Sequence, residues 1–442
     1  MISLPALHEA LPTPHAFHLQ NGVQVVSVRQ EQAPVVCLDF WCRAGSATER
    51  QAESGLAHFL EHMVFKGSEN LAAGAFDQRI EALGGSSNAA TGFDDVHYHV
   101  LIPPAAAAEA LDLLLDLVLH PRLEASDFDM ERQVVLEELA QSEDQPEDVA
   151  FQRLLALSCP DHAYGRAILG ERKALIRHNP VGMAAFHRRG YRPTACSLAV
   201  AGALDGLDLE AMVAGSALAD LSDVSDVAAT GAAAAAATPT TAPSAAPAQA
   251  QTKTLTLQPG RHTLRLPRLE AARLLMVWQL PAAADLEATA GADLFTTLLA
   301  EGRRSRLVQR LREDLRMVES VDLDLNVLEA GSLALLEAVC EPDQAEAVEA
   351  EIGRVWQELS DTPPSSSECE RAQRLVANGY RFGLEAASPV AGLIGNQSLW
   401  GRLEPLQEPL ERLRLWTPQR LHDEILPLFA PERACRVLAL PA

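Results

Sequence analysis

Two histidines four residues apart mark the stretch of the chain best suited to chemistry, residues 55–67 (GLAHFLEHMVFKG). The stretch has no proline, its glycines stand at its two ends, and its apolar residues recur at helical spacing, so it predicts a helix. On a helix His58 and His62 lie one turn apart on the same face, and two neutral imidazoles held in this way suit zinc. Glu61 leans toward the same face and could reach a water beside the ion without being a ligand. The order His-x-x-Glu-His is the inverted form of the more common zinc-protease helix motif.

A catalytic zinc site needs a third protein ligand besides an open position. Residues 123–143 predict a long amphipathic helix with Ser126 as its N-cap, and this helix carries three acids near its middle. Glu131 and Glu138 are seven residues apart and share one face, whereas Glu137 points about 100° away. The spacing alone leaves Glu137 and Glu138 open as the third ligand.

The elements that must position these residues form an alternation of short strands and helices. Asn21-Gly22 is a strong two-residue turn signal, so residues 17–30 predict a β-hairpin. Gly84-Gly85 ends a helix and precedes a pair of strands. The further predicted elements of this half are strands at 35–41, 86–91, 98–102 and 197–201 and helices at 76–83 and 105–119.

Composition and charge exclude several classes of protein. The chain has 442 residues, 48% hydrophobic and 22% charged, which is ordinary for a globular protein of two or three domains. Its formal net charge of −24 excludes nucleic acid as a partner, because nucleic-acid binding needs a basic surface. Seven scattered cysteines without a CxxC pair indicate reduced thiols and exclude a cysteine-based zinc site. The N-terminal residues do not resemble a signal or transit peptide, and no apolar run is long enough to span a bilayer, so we expect a cytoplasmic protein without membrane contact.

The second half repeats the pattern of the first. Residues 227–252 are mostly alanine, threonine, proline and serine and indicate a flexible linker. After them, residues 274–280 resemble residues 36–41, and a helix predicted at 291–302 falls where the motif helix fell. Setting Gly67 against Gly302 gives an offset of 235 residues (302 − 67). This offset matches His58, Glu61 and His62 with Asp293, Thr296 and Thr297.

The repeat predicts an α+β chain of two homologous α/β domains, each a mostly antiparallel sheet covered by helices. The predicted boundaries are a catalytic, zinc-binding domain at 1–220, a linker at 221–253 and a second domain at 254–442. Only the first copy has metal-binding side chains at the motif positions.

The chain resembles the pitrilysin/insulinase (M16) family of zinc metallopeptidases, and within it the short bacterial type related to mitochondrial processing peptidase. The resemblance covers nearly the whole chain and is densest in the first half. It rests on Gly45, Glu49, the motif at 55–67, residues 84–89, residues 131–138 and residues 162–166.

The resemblance implies a site for one Zn²⁺ per chain. In the family a distal glutamate binds zinc some seventy-five residues after the second histidine. Here Glu138 follows His62 by 76 residues (138 − 62), which selects Glu138 as ligand beside His58 and His62. The resemblance further implies that Glu131 orients the ligands and that Glu61 is the general base of a metalloendopeptidase.

The resemblance also implies a peptide substrate, held by strand addition. Residues 84–91 resemble the family's edge strand, which pairs with an extended substrate backbone. Asn88 and Ala89 would contact the substrate. Pairing of this kind reads backbone more than side chains, so we expect broad specificity.

The second half departs from the family at one position. Residues 302–313 resemble a family segment in which an arginine is followed seven residues later by a tyrosine, a pair that holds substrate and stabilises the oxyanion. Arg312 is present, but Glu319 stands at the expected tyrosine position, and Tyr380 is the nearest other tyrosine of this half. We therefore expect a heterodimer with a homologous subunit that carries the Arg–Tyr pair, enclosing a chamber; a homodimer remains an alternative.

Two other functions are compatible with parts of the pattern. The chain could be a catalytically silent structural subunit of a peptidase-like complex, although such subunits tend to lose the metal residues. It could also be a non-proteolytic metal enzyme such as S-ribosylhomocysteine lyase, which carries the same helix motif on a much shorter, single-domain chain.

Overall fold

The computed structural model describes residues 11–222 and 253–442. The predicted linker at 221–253 lies outside the described residues except at its ends. Among the described residues no helix combines the length and the apolar character needed to cross a membrane.

The first half is built on a six-stranded sheet with the spatial order β1-β2-β6-β3-β5-β4. All its neighbouring pairs are antiparallel except β2 and β6. The predicted hairpin is confirmed by the pairing of β1 with β2 across Asn21-Gly22. The strands are β1 His15–His18, β2 Gln24–Arg29, β3 Val36–Cys42, β4 Ser86–Thr91, β5 Val96–Ile102 and β6 Cys196–Gly202.

The helices of the first half are α1 Leu56–Val64, α2 Ala75–Ala82, α3 Ala107–Leu119, α4 Ala125–Asp144, α5 Pro146–Ser158, α6 Arg172–Leu175, α7 Pro180–Gly190, α8 Leu209–Ala214 and α9 Ala217–Asp220. All of them except α5 contribute to the core on one face of this sheet. Side chains along β5 point alternately to the two faces of the sheet. Those of Tyr98 and Val100 are fully buried in one core with Phe59 and Met63 of α1. The prediction of Ser126 as an N-cap is wrong, because α4 begins at Ala125 and its capping residue Glu124 makes no side-chain cap.

The second half repeats the topology of the first. Its sheet has the order β7-β11-β8-β10-β9, which matches β2-β6-β3-β5-β4 strand for strand. The single parallel pair, β7 with β11, also corresponds to β2 with β6. The prediction of two copies of one α+β unit is therefore confirmed. The strands are β7 Gly260–Leu266, β8 Ala272–Leu280, β9 Ser320–Asn326, β10 Ser332–Cys340 and β11 Cys435–Pro441.

The helix that corresponds to α1 is α10, Leu286–Ala300, which begins before the predicted residue 291 because Asp285 caps it by accepting from Ala288 N–H. A π-helical turn, Val308–Asp314, follows it. The remaining helices are α11 Ala345–Asp361, α12 Ser366–Gly383, α13 Ala387–Leu399, α14 Glu408–Arg414 and α15 Pro418–Arg420, followed by a second π-helical turn at Leu421–Ile425.

The two halves exchange one helix. In each copy three long helices follow a pair of neighbouring strands, β4 and β5 in the first copy and β9 and β10 in the second. The third of these helices, α5 or α13, packs on the sheet of the other half. Leu154 and Leu155 of α5 share a core with Leu275 of β8, and Ile394 of α13 shares one with Ala199 of β6. Each sheet is thus covered on one face by its own helices and on the other by a helix of its neighbour.

Candidate metal centre

The motif helix α1 starts from a buried cap. The carboxylate of Glu49 accepts hydrogen bonds from Gly55 N–H (3.0 Å) and Ala57 N–H (2.8 Å), two backbone groups that have no partner within the helix. Gly55 has φ 82°, and a side chain there would come within 2.6 Å of Leu169 O. The burial of Glu49 raises its pKa to about 7, against the effect of the two N–H donors. These contacts fix where the helix begins and therefore where its histidines point.

Three side chains from two helices converge beside α1. His58 Nε2 lies 3.8 Å and His62 Nε2 lies 3.4 Å from the same oxygen, Glu138 Oε2 of α4. Two ligands of a tetrahedral ion with bonds of about 2.1 Å lie about 3.4 Å apart. The three ligand atoms lie within 4.8 Å of one another, so this His₂Glu set fits a zinc ion with one position left open. Glu137, the other candidate from the spacing, is exposed on α4.

Glu131 of α4 contacts the motif helix at His62 and at Lys66, just beyond its end. One of its oxygens accepts a hydrogen bond from His62 Nδ1 (3.0 Å), and the other pairs with Lys66 Nζ (2.7 Å). Because a carboxylate only accepts, the proton of His62 stays on Nδ1 and the lone pair of Nε2 faces Glu138. Lys66 has no role in the sequence prediction, although it lies four residues after His62 on the same helix side.

His58 is held in its neutral form. Its burial and the neighbouring His62 lower its pKa to about 4, so the imidazole has a free lone pair at neutral pH. Its Nδ1 is buried and has no hydrogen-bond partner within the described ranges. An imidazole in this state is suited to bind a metal ion through Nε2.

Glu61 is attached to the strand that borders the site. Its Oε2 accepts a hydrogen bond from the hydroxyl of Thr91, the last residue of β4. Among the described residues Oε1 has no such partner, so one carboxylate oxygen is held and the other is available. No local pattern of the sequence points to Thr91, since a threonine at the end of a strand is common.

The predicted substrate-contact residues lie on an exposed edge. β4 is the outermost strand of the first sheet, so its outer backbone groups are not paired with a strand of this sheet. Asn88 is exposed, and its side-chain oxygen accepts a hydrogen bond from Ala89 N–H (2.9 Å). The structure thus places Asn88 and Ala89 on β4, the strand whose Thr91 is hydrogen-bonded to Glu61.

The structure does not bring Arg312 and Glu319 to this centre. Arg312 lies in the π-helical turn and donates to Glu313 (2.9 and 3.1 Å). Glu319 directly precedes β9, and its side chain lines a cavity of about 650 Å³ shared with Arg268 and Arg273.

The second copy of the motif lacks the histidine pair. Helix α10 carries Asp293, Thr296 and Thr297 at the corresponding positions. None of them belongs to a cluster of three potential metal ligands within the described part of the chain.

Comparison with known proteins matches both halves to one peptidase family. The family model described as "Insulinase (Peptidase family M16)" matches residues 24–172, and that described as "Peptidase M16 inactive domain" matches residues 183–376. An uncharacterized zinc protease of Mycobacterium leprae is 28% identical over 400 residues, covering 89% of this chain and 84% of the relative. One of Bacillus subtilis is 24% identical over 428 residues, covering 96% and 97%.

The solved structure of a protease from Helicobacter pylori superimposes with a TM-score of 0.86 at 24% identity, covering 98% of this chain and 100% of that one. An M16 inactive-domain protein of Pseudomonas fluorescens superimposes with a TM-score of 0.84 at 19% identity, covering 97% and 98%. At these identities the two structures share the fold with this chain.

Proposed function

The chain belongs to peptidase family M16, and on this premise we propose that it is a zinc-dependent endopeptidase that cleaves peptides or small unfolded polypeptides. The observation that carries the proposal is the convergence of His58, His62 and Glu138 at the helix that also carries Glu61. Three ligands with an open position and an adjacent carboxylate are the parts that metal-assisted hydrolysis requires.

His58, His62 and Glu138 would hold one zinc ion. The chemistry that zinc supplies at such a site is Lewis acidity, toward a water molecule and toward the carbonyl oxygen of the scissile bond. Glu131 keeps the proton of His62 on Nδ1 and so keeps Nε2 available.

Glu61 is the proton carrier of the proposed reaction. Its Oε2 is fixed by Thr91, which leaves Oε1 to take a proton from the attacking water. The same carboxyl group then delivers that proton to the nitrogen of the departing amine. Because Thr91 belongs to β4, its hydrogen bond fixes Glu61 in position relative to the proposed substrate-binding strand.

The substrate backbone would add to β4 as a further strand. The outer edge of β4 offers unpaired N–H and C=O groups, which bind any extended peptide and select little between side chains. The side chain of Asn88 would have to release Ala89 N–H before a substrate strand could use it.

No tyrosine of this chain is free to act as a donor for the oxyanion. All four tyrosines lie within the described residues, and their hydroxyls are engaged there: Tyr98 with Tyr191 (2.7 Å), Tyr164 with Asp94 (2.7 Å) and Tyr380 with the carbonyl of Leu406 (2.9 Å). We therefore propose that a second, homologous chain supplies an arginine and a tyrosine across a shared chamber.

Replacement of Glu61 by glutamine tests the proposal. Glu61→Gln keeps the size of the side chain and the contact with Thr91 but cannot take a proton. We expect zinc content to be unchanged while kcat for a peptide substrate falls by about 10²- to 10⁴-fold. His58→Ala should lose both the metal and turnover.

Glu137→Gln is the matched control, since this acid of α4 is exposed and should change neither quantity. Retention of peptidase activity by Glu61→Gln would contradict the assigned base. Absence of both zinc and hydrolysis in the native protein would favour a silent structural subunit.

A further inference from the structure

A second cluster of histidine and carboxylate side chains lies on the opposite face of the first sheet. Asp39 of β3 pairs with His99 of β5, and Trp41 pairs with His97. Residues that alternate with them, such as Phe40 and Tyr98, are buried in the core under α1. Asp39, His97 and His99 therefore point away from the metal centre described above, toward the helix that the second half contributes.

The three side chains are close enough to bind one ion. Each offers one ligand atom, and these atoms lie within 4.8 Å of one another. His97 Nδ1 lies 2.9 Å from Asp39 Oδ1, and its ring is stacked between Trp41 (4.2 Å) and His99 (5.6 Å). The stacking holds both imidazoles nearly parallel on one strand.

One of these groups lacks a hydrogen-bond partner, and another has only one. The side chain of Asp39 is 2% exposed, and in the described part of the chain His97 is its only hydrogen-bond partner. The Nδ1 atom of His99 is buried, and the described residues offer it no partner. A cation between them would satisfy the imidazole nitrogen of His99 and the second oxygen of Asp39.

The exchanged helix α13 leaves room above the cluster. If Gly392 had a side chain, its Cβ would have one neighbour within 4 Å, the Oδ2 atom of Asp39 at 3.9 Å. By contrast, a Cβ at Gly395, one turn on, would lie 2.4 Å from Trp41 Nε1. The helix thus approaches Trp41 closely but leaves space over the free oxygen of Asp39.

We propose that Asp39, His97 and His99 form a second binding site for a divalent transition-metal ion. Two imidazoles and one carboxylate on one face suit Zn²⁺ or Fe²⁺ and leave positions open for water. The ion would join β3 to β5 directly beneath α13, and β5 in turn pairs His99 with Asn88 of the edge strand. It would therefore stabilise the sheet next to the proposed substrate strand.

Zinc stoichiometry of the full chain tests this site. Metal-free protein is reloaded with Zn²⁺, freed of excess ion, and analysed for zinc per chain by plasma mass spectrometry. We expect about two ions in the native chain, about one in His99→Gln and in Asp39→Asn, about one in His58→Gln, and none in the combined His58→Gln/His99→Gln variant. His120→Gln is the matched control, because His120 lies 3.8 Å from an Asp116 oxygen but belongs to no three-ligand group within the described residues, and it should keep both ions.

The variants separate this proposal from the proposed function. If the native chain binds a single ion, and His58→Gln loses it while His99→Gln keeps it, the second site is overturned. If instead His99→Gln loses that single ion and His58→Gln keeps it, the second site is supported and the peptidase proposal loses its basis. Retention of one ion by His99→Gln and Asp39→Asn would show that both variants are folded. Loading His58→Gln with Co²⁺ gives a second readout: we expect a visible ligand-field absorption band that disappears in the combined variant, and no band would contradict the site.

Discussion

The carboxylate of Glu131 serves two groups of helix α1, His62 through Nδ1 and Lys66 through Nζ. Its side chain is 9% exposed, so both contacts are shielded from water. A carboxylate makes the histidine it holds more basic and prevents its ring from turning. Lys66 pairs with Glu131 and so offsets part of the cost of burying its charge.

Replacement of Glu131 by glutamine should weaken metal binding without removing it. The amide oxygen of Glu131→Gln would still be able to accept from His62, but the side chain would no longer carry the charge that pairs with Lys66. We expect zinc affinity to fall by about 10- to 100-fold, measured by competition with a chelator. Glu137→Gln should leave the affinity unchanged, and an unchanged affinity in Glu131→Gln would mean that Glu131 does not support the ligand.

Single residues show where sequence reasoning stops. The spacing of His58 and His62 predicts their shared face, because an α-helix has a fixed period. It leaves Glu137 and Glu138 open, since the choice depends on how α4 is rotated against α1. Contacts such as that of Thr91 with Glu61 join elements distant in sequence, and no local pattern contains them.

At the scale of elements, the start of α1 depends on Glu49. This acid lies before the helix and is 5% exposed, yet it satisfies two of the N–H groups at the helix start. Its pKa is raised from 4.5 to about 7, chiefly by burial. The folded chain therefore holds the proton to a higher pH than the unfolded chain does, and the contribution of Glu49 to stability declines as pH rises from about 4.5 to about 7.

Glu49→Gln tests this linkage. The amide can satisfy one N–H but presents its own NH₂ to the other, so we expect the free energy of unfolding to fall by about 1–3 kcal/mol at about pH 5. At about pH 8 the difference in unfolding free energy between variant and native sequence should be smaller, because Glu49 is then ionised in the folded and in the unfolded chain. Denaturant unfolding at the two pH values measures it. Glu81→Gln, an exposed acid of α2, is the control, and a difference that grows with pH would contradict the assigned pKa shift.

The types of the elements follow from the sequence more directly than their ends do. The hairpin at Asn21-Gly22 and the strands around it follow from turn chemistry and alternation, which act within a few residues. The sequence pattern misplaces the N-cap of α4 and the start of α10. At α4 the favourable N-cap residue Ser126 lies inside the helix, and at α10 the cap is Asp285, upstream of the predicted start.

At the scale of the whole molecule, the two copies are joined by their exchanged helices. The repeat could be predicted from similar strand–helix patterns, but the exchange could not, because α5 and α13 have the same apolar character whichever sheet they cover. Two further contacts cross between the halves: Asp94 accepts from Glu329 N–H, and the Tyr164 hydroxyl accepts from Ala330 N–H. Within the first half, that hydroxyl donates to Asp94. We infer that the metal centre and the second sheet are held as parts of one folded structure.

The proposed need for an oxyanion donor from a second chain concerns the whole molecule, because both halves belong to one folded structure. Its tyrosines are all held by internal hydrogen bonds, and Arg312 is paired with Glu313, so recruiting any of them would require existing contacts to break. A partner chain that presents a free arginine and tyrosine would avoid this cost.

We expect kcat to be about 10²- to 10³-fold higher when this chain is co-purified with such a homologue than when it is isolated, with the zinc content of this chain unchanged. The partner's tyrosine replaced by phenylalanine is the control and should remove most of the gain. A homodimer would instead show activity per chain that rises with concentration of this chain alone, and full activity of the dilute, isolated chain would exclude any need for a partner.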